Sequence, residues 1–212
     1  MVELGISELW LFVISGIMLN IIPGPDSLYI IGRSASQGFR AGSTAACGIA
    51  SGTLVHIFAA AFGLSAILAT SAMAFTIIKI LGCAYLIYMG VSMLLSKAGP
   101  AVKNSEQSQA PLKKIFYQGF MTNVLNPKVA LFFLAFVPQF IAHDAPNKAL
   151  SFIVLGLIFN INGMLWCHFL AWSSSSLSRK VKQSPRISNV VNTLAGGLFI
   201  CFGIKLAFSE QV

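Results

Sequence analysis

Charged side chains are scarce in this sequence. Only 9% of its 212 residues are charged and 56% are hydrophobic, whereas an average soluble domain has about 25% charged residues. So few charges cannot cover a surface that faces water on all sides. The composition therefore excludes an ordinary soluble protein and indicates that lipid surrounds much of the chain.

Acidic residues are the scarcer of the two signs, with 6 Asp and Glu against 14 Lys and Arg, for a formal net charge of +8. In a soluble protein such an excess would suggest nucleic-acid binding. Here the basic residues lie in short connections between apolar runs, and no basic stripe with interleaved aromatics occurs. This placement follows the positive-inside rule for membrane proteins. We therefore predict a lipid bilayer and no nucleic acid as the partner.

Motifs for enzyme chemistry are also missing. The sequence has no HExxH, no GxSxG, no P-loop and no glycine run that could cradle a phosphate. We therefore predict that the chain is not an enzyme, has no catalytic residues, and binds neither a cofactor nor a metal. The four cysteines lie inside apolar runs without any CxxC pair, so we expect no disulfide. They are Cys47, Cys83, Cys167 and Cys201.

The segment before the first apolar run contains two acids, Glu3 and Glu8, and no Lys or Arg. A secretory signal peptide begins with a basic region. We therefore expect the first run to stay in the mature protein as a membrane helix.

Long apolar runs dominate what is present. A helix needs about 20 apolar residues to cross the hydrocarbon core, and six runs are long enough. They span Leu9–Ile31, Thr44–Leu68, Met73–Leu95, Gly119–Ile141, Ala149–Trp172 and Val190–Phe208. Because the alternation of a transmembrane barrel is absent, the runs predict an all-α membrane protein with six transmembrane helices. One transmembrane domain would occupy residues 1–212.

The basic residues sort the connections into two sides. Ten of the 14 follow the first, third and fifth runs, as two plus four plus four. They are Arg33 and Arg40, then Lys97, Lys103, Lys113 and Lys114, then Arg179, Lys180, Lys182 and Arg186. The positive-inside rule assigns these connections to the cytoplasm. We expect a multi-pass protein of the bacterial plasma (inner) membrane with both termini on the non-cytoplasmic side.

The two halves of the chain resemble each other. Placed 113 residues apart, runs three and six match at a Leu, an Ile and a Gly with most other positions small or apolar, and runs one and four each contain Asn and Pro. Three spans per half would give an inverted 3+3 repeat. Repeat 1 would cover about residues 8–96, a cytoplasmic linker about 97–114, and repeat 2 about 115–209. The alternative is a chance likeness between apolar helices. Broken segments at matching places of inverted repeats indicate a transport site.

Prolines predict where the two broken runs lose helical hydrogen bonds. Proline lacks an N–H and clashes with the carbonyl four residues earlier, so Pro23 frees the carbonyl of Leu19 and Pro127 that of Asn123. Irregular backbone persists at membrane depth only inside protein or beside water. The breaks should therefore face the bundle interior as a substrate and proton pathway. Its candidate residues are Asn20, Pro23, Gly24, Pro25 and Asp26, then Asn123, Asn126, Pro127 and Lys128, with Asn160 in run five.

The two charged candidates have several interpretations. Asp26, the only acid well inside a run, suits a proton carrier or a ligand for a substrate ammonium. It also suits the N-cap of a helix that restarts at Ser27. Lys128 suits a ligand for a substrate carboxylate, a partner of Asp26, or a lysine that snorkels toward the cytoplasm.

The uncharged polar candidates have milder alternatives. For Asn20, Asn123 and Asn126 we favour hydrogen bonding to the freed carbonyls over substrate contact. Asn160 and Asn162 either join helices or line the pathway. We interpret His56 and His168 as hydrogen-bonded interior histidines rather than proton relays. Gly48 and Gly52 form a GxxxG pair that favours close helix packing, within the chain or in a homodimer.

Several motifs in order along the chain resemble one family. They are Pro23-Gly24-Pro25, Ala46-Cys47-Gly48, Gly82-Cys83-Ala84-Tyr85, Asn123-Val124-Leu125-Asn126-Pro127-Lys128, Phe132-Phe133 and Pro138-Gln139-Phe140. Together they resemble the LysE/RhtB translocators, in the branch for threonine, homoserine and leucine-like amino acids. The resemblance implies export of amino acids driven by the proton motive force. Many relatives carry Asn where this chain has Asp26, so a proton carrier there would not be shared by the whole family.

Two other functions remain open from the sequence. An intramembrane thiol-disulfide carrier can also use six-helix repeats, but it needs paired cysteines close to the prolines of runs one and four. Here those runs contain no cysteine. A passive channel for small solutes would have the same apolar pattern, since the width of a pore is not visible in sequence.

Overall fold

The structure is a computed structural model that describes residues 4–65, 110–142 and 144–176, with isolated positions in 73–95 and 193–204. Within these residues every regular element is helical, which confirms the all-α class for this part of the chain. Runs three and six and residues 97–109 of the expected linker lie outside the described residues, apart from those isolated positions.

Run one forms two helices, α1 (Leu9–Ile21) and α2 (Pro25–Gln37), which meet at an angle of 53°. The expected break is therefore present at the Pro-Gly-Pro sequence. Pro25 is the first residue of α2, where a missing N–H costs nothing. We expected Arg33 in a connection after Ile31, which is wrong because α2 continues to Gln37 and buries Arg33.

Helix α3 (Phe39–Phe58) follows after Gly38 and continues as a π-helical turn, Ala59–Leu64. Gly38 has φ 82°, a left-handed conformation that favours glycine. Together the two segments form a 26-residue apolar helix, long enough to cross a membrane.

Run four also forms a bent pair. Helix α4 (Leu112–Val124) and α5 (Pro127–Leu131) are separated by Leu125 and Asn126. Helix α5 continues through a π-helical turn, Phe132–Phe136, and a 3-10 turn, Val137–Phe140, with an overall bend of 45° from α4. The helix begins seven residues before the expected start at Gly119, so Lys113 and Lys114 lie in its first turn rather than in a connection.

Helix α6 (Lys148–Ser176) is a single apolar helix of 29 residues. With α3 it gives two unbroken candidate membrane spans, and each bent pair adds one more, which makes up to four among the described residues.

Small residues bring α3 and α4 into close contact. A Cβ at Gly52 would lie 2.8 Å from the carbonyl oxygen of Phe120, and one at Gly48 would overlap the carbonyl oxygen of Phe116. On the facing helix, a Cβ at Gly119 would lie 2.6 Å from the Ala45 carbonyl oxygen. The GxxxG pair therefore packs within this chain, and no second copy is needed to account for it.

One end of the bundle is closed by backbone contacts, and we call it the bridge end. Ile6 and Ile141 form an isolated antiparallel bridge. The Ser7 N–H donates to the Phe140 carbonyl at 3.0 Å, and the Ala142 N–H donates to the Gly5 carbonyl at 2.8 Å. Beneath this bridge lies a cluster of buried phenylalanines, Phe12, Phe132, Phe136, Phe140, Phe152 and Phe159.

The opposite end is closed by polar side chains, and we call it the arginine end. Arg33, 7% exposed, donates through Nη2 to Gln118 Oε1 at 2.9 Å and through Nη1 to Gln37 Oε1 at 3.1 Å. Its guanidinium carbon lies 5.5 Å from the ring centroid of Tyr29, whose hydroxyl also donates to Gln118. No described acidic residue pairs with Arg33, so glutamine oxygens and an aromatic face hold its charge.

Candidate functional site

The two helix breaks meet at the carboxylate of Asp26. Its Oδ2 accepts hydrogen bonds from Asn123 Nδ2 at 2.8 Å and Asn126 Nδ2 at 2.9 Å, and the side chain is only 9% exposed. Asp26 is the second residue of α2, and the N-cap is Gly24 without a side-chain cap. Asp26 is therefore not the N-cap, although its negative charge is favourable in the first helical turn.

The ammonium of Lys128 lies at the other side of the same crossing. Its Nζ donates to the carbonyl of Leu19 at 3.1 Å and to that of Ile22 at 3.2 Å. Pro23 deprives the Leu19 carbonyl of its helical donor, and the C-terminal end of a helix attracts positive charge. Lys128 thus satisfies the end of α1, a role that we had expected from the asparagines.

Asp26 and Lys128 form no direct ion pair, although both lie in the part of the chain that the structure describes. Each charge is held by the other half of the chain, the anion by amides of the second break and the cation by carbonyls of the first. A direct pair of Asp26 and Lys128, one of the three interpretations of Lys128 from the sequence, is therefore not formed.

Both asparagine amides are oriented by a second contact. Asn123 Oδ1 accepts from Thr53 Oγ1 at 3.2 Å, while Asn126 Oδ1 accepts from the Lys128 N–H at 3.0 Å and so caps α5. Because each amide oxygen is occupied in this way, each NH₂ group faces Asp26. His56 Nε2 lies 3.0 Å from the Asn123 carbonyl oxygen, which is consistent with a hydrogen-bonded interior histidine.

A small cavity lies beside this network. Its volume is about 30 Å³, which is room for about one water molecule. The polar lining includes Asn20, Asp26, Asn123, Lys128 and Asn160, so five of the ten candidate residues share one cavity. Asn162, two positions further along α6, does not line it.

The other candidates build the cavity rather than line it. Pro23, Gly24 and Pro25 form the first break, and Pro127 begins α5 after the Asn126 cap. A Cβ at Gly24 would lie 3.1 Å from Lys128 Nζ. The break therefore leaves the room that the ammonium occupies against the end of α1.

Sequence reasoning missed the residues that α3 brings to the cavity and, apart from Asn160, those that α6 brings. Thr53 contributes the hydroxyl that orients Asn123, and Ile49, Phe159 and Met164 form an apolar wall. Thr53 and Gly163, a glycine that packs against Asn20, interrupt apolar runs, which is the only local signal they carry. Nothing near them in sequence indicates that they face the breaks.

The described residues contain no group of three His, Cys, Asp or Glu side chains that could hold a metal ion. Cys47, Cys167 and Cys201 are free thiols, and Cys83 lies outside the described residues. His168 contacts the Met164 carbonyl of its own helix at 2.8 Å.

The comparison with protein families decides the class of this chain. The family model described as LysE type translocator matches residues 17–210. This chain belongs to the LysE type translocator family. The resemblance drawn from the sequence is confirmed, and the translocator is a multi-pass membrane transporter rather than an enzyme.

Similar curated proteins cover nearly the whole translocator. An uncharacterized membrane protein of Pseudomonas aeruginosa is 33% identical over 212 residues, 98% of each chain. Leucine efflux proteins of an Enterobacter species and of Salmonella typhimurium are 30% identical over 207 residues and 29% identical over 205, each covering 97% of both chains. No solved structure matches the translocator significantly.

Proposed function

We propose that this translocator exports leucine and similar neutral, apolar amino acids from the bacterial cytoplasm in exchange for protons. The observation that carries the proposal is the buried carboxylate of Asp26, held between two broken helices beside a cavity. The family supports transport, and relatives named leucine efflux proteins support the substrate class. The thiol-disulfide carrier is not favoured by either finding.

Competition at one carboxylate would couple the two fluxes. Both amide donors bind Oδ2 of Asp26, and Oδ1 has no hydrogen-bond partner among the residues that the structure describes. A proton and a substrate ammonium are both attracted to that oxygen, and it holds one of them at a time. Substrate that arrives from the cytoplasm would displace a proton there, and a proton that arrives from outside would displace the substrate.

Alternating access requires that each end of the bundle open in turn. Both closures join the proposed repeats, since Gly5–Ser7 contact Phe140–Ala142 at the bridge end and Arg33 contacts Gln118 at the arginine end. With six spans, an inverted 3+3 repeat and both termini outside, the bridge end faces outward and the arginine end faces the cytoplasm. Rocking of one repeat against the other would break one closure at a time.

The cavity wall supports an apolar substrate. Ile49, Phe159 and Met164 line the cavity together with the polar network. The volume of about 30 Å³ is smaller than a leucine side chain, so admission of substrate requires these side chains to move. Met164 suits that demand because methionine is unbranched and readily repacks.

Transport by the purified protein in liposomes tests the proposal. A vesicle interior more acidic than the bath should drive uptake of radiolabelled leucine above its equilibrium level, and an uncoupler should abolish that excess. Equilibration without accumulation would instead establish a passive channel. No protein-dependent movement of leucine, isoleucine, valine or methionine would contradict the substrate class.

A further inference from the structure

Two of the unpartnered polar atoms in the described structure belong to residues that line the cavity. Buried side-chain atoms without a hydrogen-bond partner occur at Ser15, Asn20, Asp26, Arg33 and Trp166. Of these residues only Asn20 and Asp26 line the cavity. A buried polar group without a partner is costly, so these two atoms mark where a ligand would bring the largest gain.

The two atoms are opposite in kind. Asn20 Nδ2 is a donor, and Asp26 Oδ1 is an anionic acceptor. A zwitterionic amino acid has the complementary pair, an ammonium that only donates and a carboxylate that only accepts. Neither an amine without a carboxylate nor an acid without an ammonium would satisfy both atoms.

Three other donors near the cavity are already engaged. Asn123 and Asn126 donate their amide N–H groups to Asp26, and Lys128 donates to the carbonyls of Leu19 and Ile22. Lys128 adds a positive field for a carboxylate while its position remains fixed by the end of α1. Among the residues that line the cavity, the Asn20 amide nitrogen is the one fully buried side-chain donor without a hydrogen-bond partner among the described residues.

The Asn20 amide packs against α6 at the edge of the cavity. Asn20 lies in the last turn of α1, opposite Gly163. A Cβ at Gly163 would lie 3.2 Å from Asn20 Oδ1 and 3.4 Å from Nδ2. The absence of a side chain at Gly163 therefore leaves the room that the Asn20 amide occupies against α6, and Phe159 and Met164 of the same helix line the cavity beside it.

A purely structural role of Asn20 is already filled by another residue. We had expected this amide to bind a carbonyl freed by the prolines, but Lys128 binds those at Leu19 and Ile22. No hydrogen bond of the Asn20 side chain to another described residue is present.

We propose that Asn20 binds the α-carboxylate of the substrate while Asp26 binds its α-ammonium, so that the translocator selects zwitterionic amino acids by two contacts. This inference rests on the proposed function and adds a specificity-determining residue to it. The side chain of the substrate then points to the apolar wall of α6 and α3.

Competition by substrate analogues tests the proposal in proteoliposomes. Exchange of tracer leucine is measured against unlabelled leucine, leucinamide, which lacks the carboxylate, and 4-methylpentanoate, which lacks the ammonium. In the wild-type protein leucine should compete more strongly than either analogue. In Asn20→Ala, the apparent affinity for leucine should fall by about 10-fold, which is the effect of losing a hydrogen bond to a charged group. The apparent affinity for leucinamide should stay unchanged.

A second variant keeps the test valid if the alanine variant folds poorly. Asn20→Asp preserves the size of the side chain but repels a carboxylate, so the apparent affinity for leucine should fall further than in Asn20→Ala. Leucinamide, a cation, should compete as well as in the wild-type protein or better. Asn162→Ala is the matched control on α6, away from the cavity, and should keep the wild-type ratio of leucine to leucinamide.

The outcomes separate the inference from the function beneath it. If Asn20→Ala lowers the apparent affinities for leucine and leucinamide equally, or changes neither, the role of Asn20 is overturned. The proposed function is not affected by that result. A wild-type protein that exchanges no leucine would overturn the proposed function, and this inference with it.

Discussion

The two helix breaks use the same proline-based construction to hold opposite charges. The acid Asp26 and the base Lys128 each occupy the second position of the helix that restarts, after Pro25 and Pro127. The Lys128 ammonium bonds two carbonyls at the end of α1, whereas the Asp26 carboxylate uses one oxygen for two amides and leaves the other unpartnered. The lysine is bound to backbone carbonyls, whereas the aspartate keeps an acceptor at the cavity that has no partner among the described residues.

This difference indicates that the two charged residues have different roles. Lys128 positions the end of α1, so its loss should damage the fold. Asp26 is held in place by only one of its oxygens, so a neutral side chain of the same shape can keep the structure while losing the ligand. Substitutions at four residues test this difference between Lys128 and Asp26.

Lys128→Met should give the largest effect, on stability. The change removes the donor to the carbonyls of Leu19 and Ile22, and an unsatisfied backbone group at membrane depth costs several kcal/mol. We expect the unfolding midpoint in detergent to fall by on the order of 10 °C. Lys128→Arg, which keeps a donor, should lower the unfolding midpoint less. Loss of transport with an unchanged midpoint in Lys128→Met would make Lys128 a substrate ligand and remove the contrast.

Asp26→Asn should give the second-largest effect, and that effect should be on transport. The amide oxygen can still accept from Asn123 and Asn126, so the unfolding midpoint should change by less than half of the Lys128→Met shift. Proton-driven leucine uptake should fall by about 10- to 100-fold, the range for a lost hydrogen bond to a charged group. Proton-driven uptake at the wild-type rate, here or in Asp26→Ala, would refute the coupling role of Asp26.

Asn126 both binds Asp26 and caps α5, so its variants can separate the effect on transport from the effect on stability. Asn126→Ala removes a donor to Asp26 and the cap of α5. We expect about 10-fold slower uptake and a stability loss of about 1 kcal/mol from the cap. Asn126→Ser keeps a capping oxygen without the amide donor, and should recover the unfolding midpoint but not the uptake. Recovery of both by serine would show that the contact with Asp26 has no role in transport.

Thr53→Val should give the smallest effect. It removes the hydroxyl that orients Asn123 while keeping the shape of the side chain, and a neutral hydrogen bond contributes about 1 kcal/mol. Leucine uptake should therefore slow by about fivefold. Thr44→Val is the control, because Thr44 bonds only the Arg40 carbonyl of its own helix. Equal uptake by the two variants would show that Asn123 needs no support from α3.

The sequence predicted the breaks because proline acts locally, through its missing N–H and its ring. The ends of the helices were harder. Arg33 and Lys113 lie just outside the predicted apolar runs and were placed in connections, yet Arg33 lies inside α2, where Gln118 from α4 supplies an acceptor. A partner 85 residues away in the chain leaves no local trace.

The same limit applies inside the site. Asn20, Asp26 and Asn123 were identified because they stand beside prolines, but which amide would reach which charge depends on how the two halves cross. Thr53 and Gly163 lie on α3 and α6, far in sequence from either break, and only tertiary packing brings them to the cavity. The pairing of Lys128 with carbonyls rather than with Asp26 follows from that crossing as well.

The most direct test of the central claim is the affinity of the purified protein for leucine as a function of pH. If a proton and the substrate ammonium compete for Asp26, lowering the pH protonates the carboxylate and must raise the apparent Kd of leucine in the wild-type protein. The account predicts this rise, and predicts that Asp26→Asn binds leucine more weakly but with no such pH dependence. An apparent Kd that is independent of pH in the wild-type protein, or that rises equally in Asp26→Asn, would contradict it.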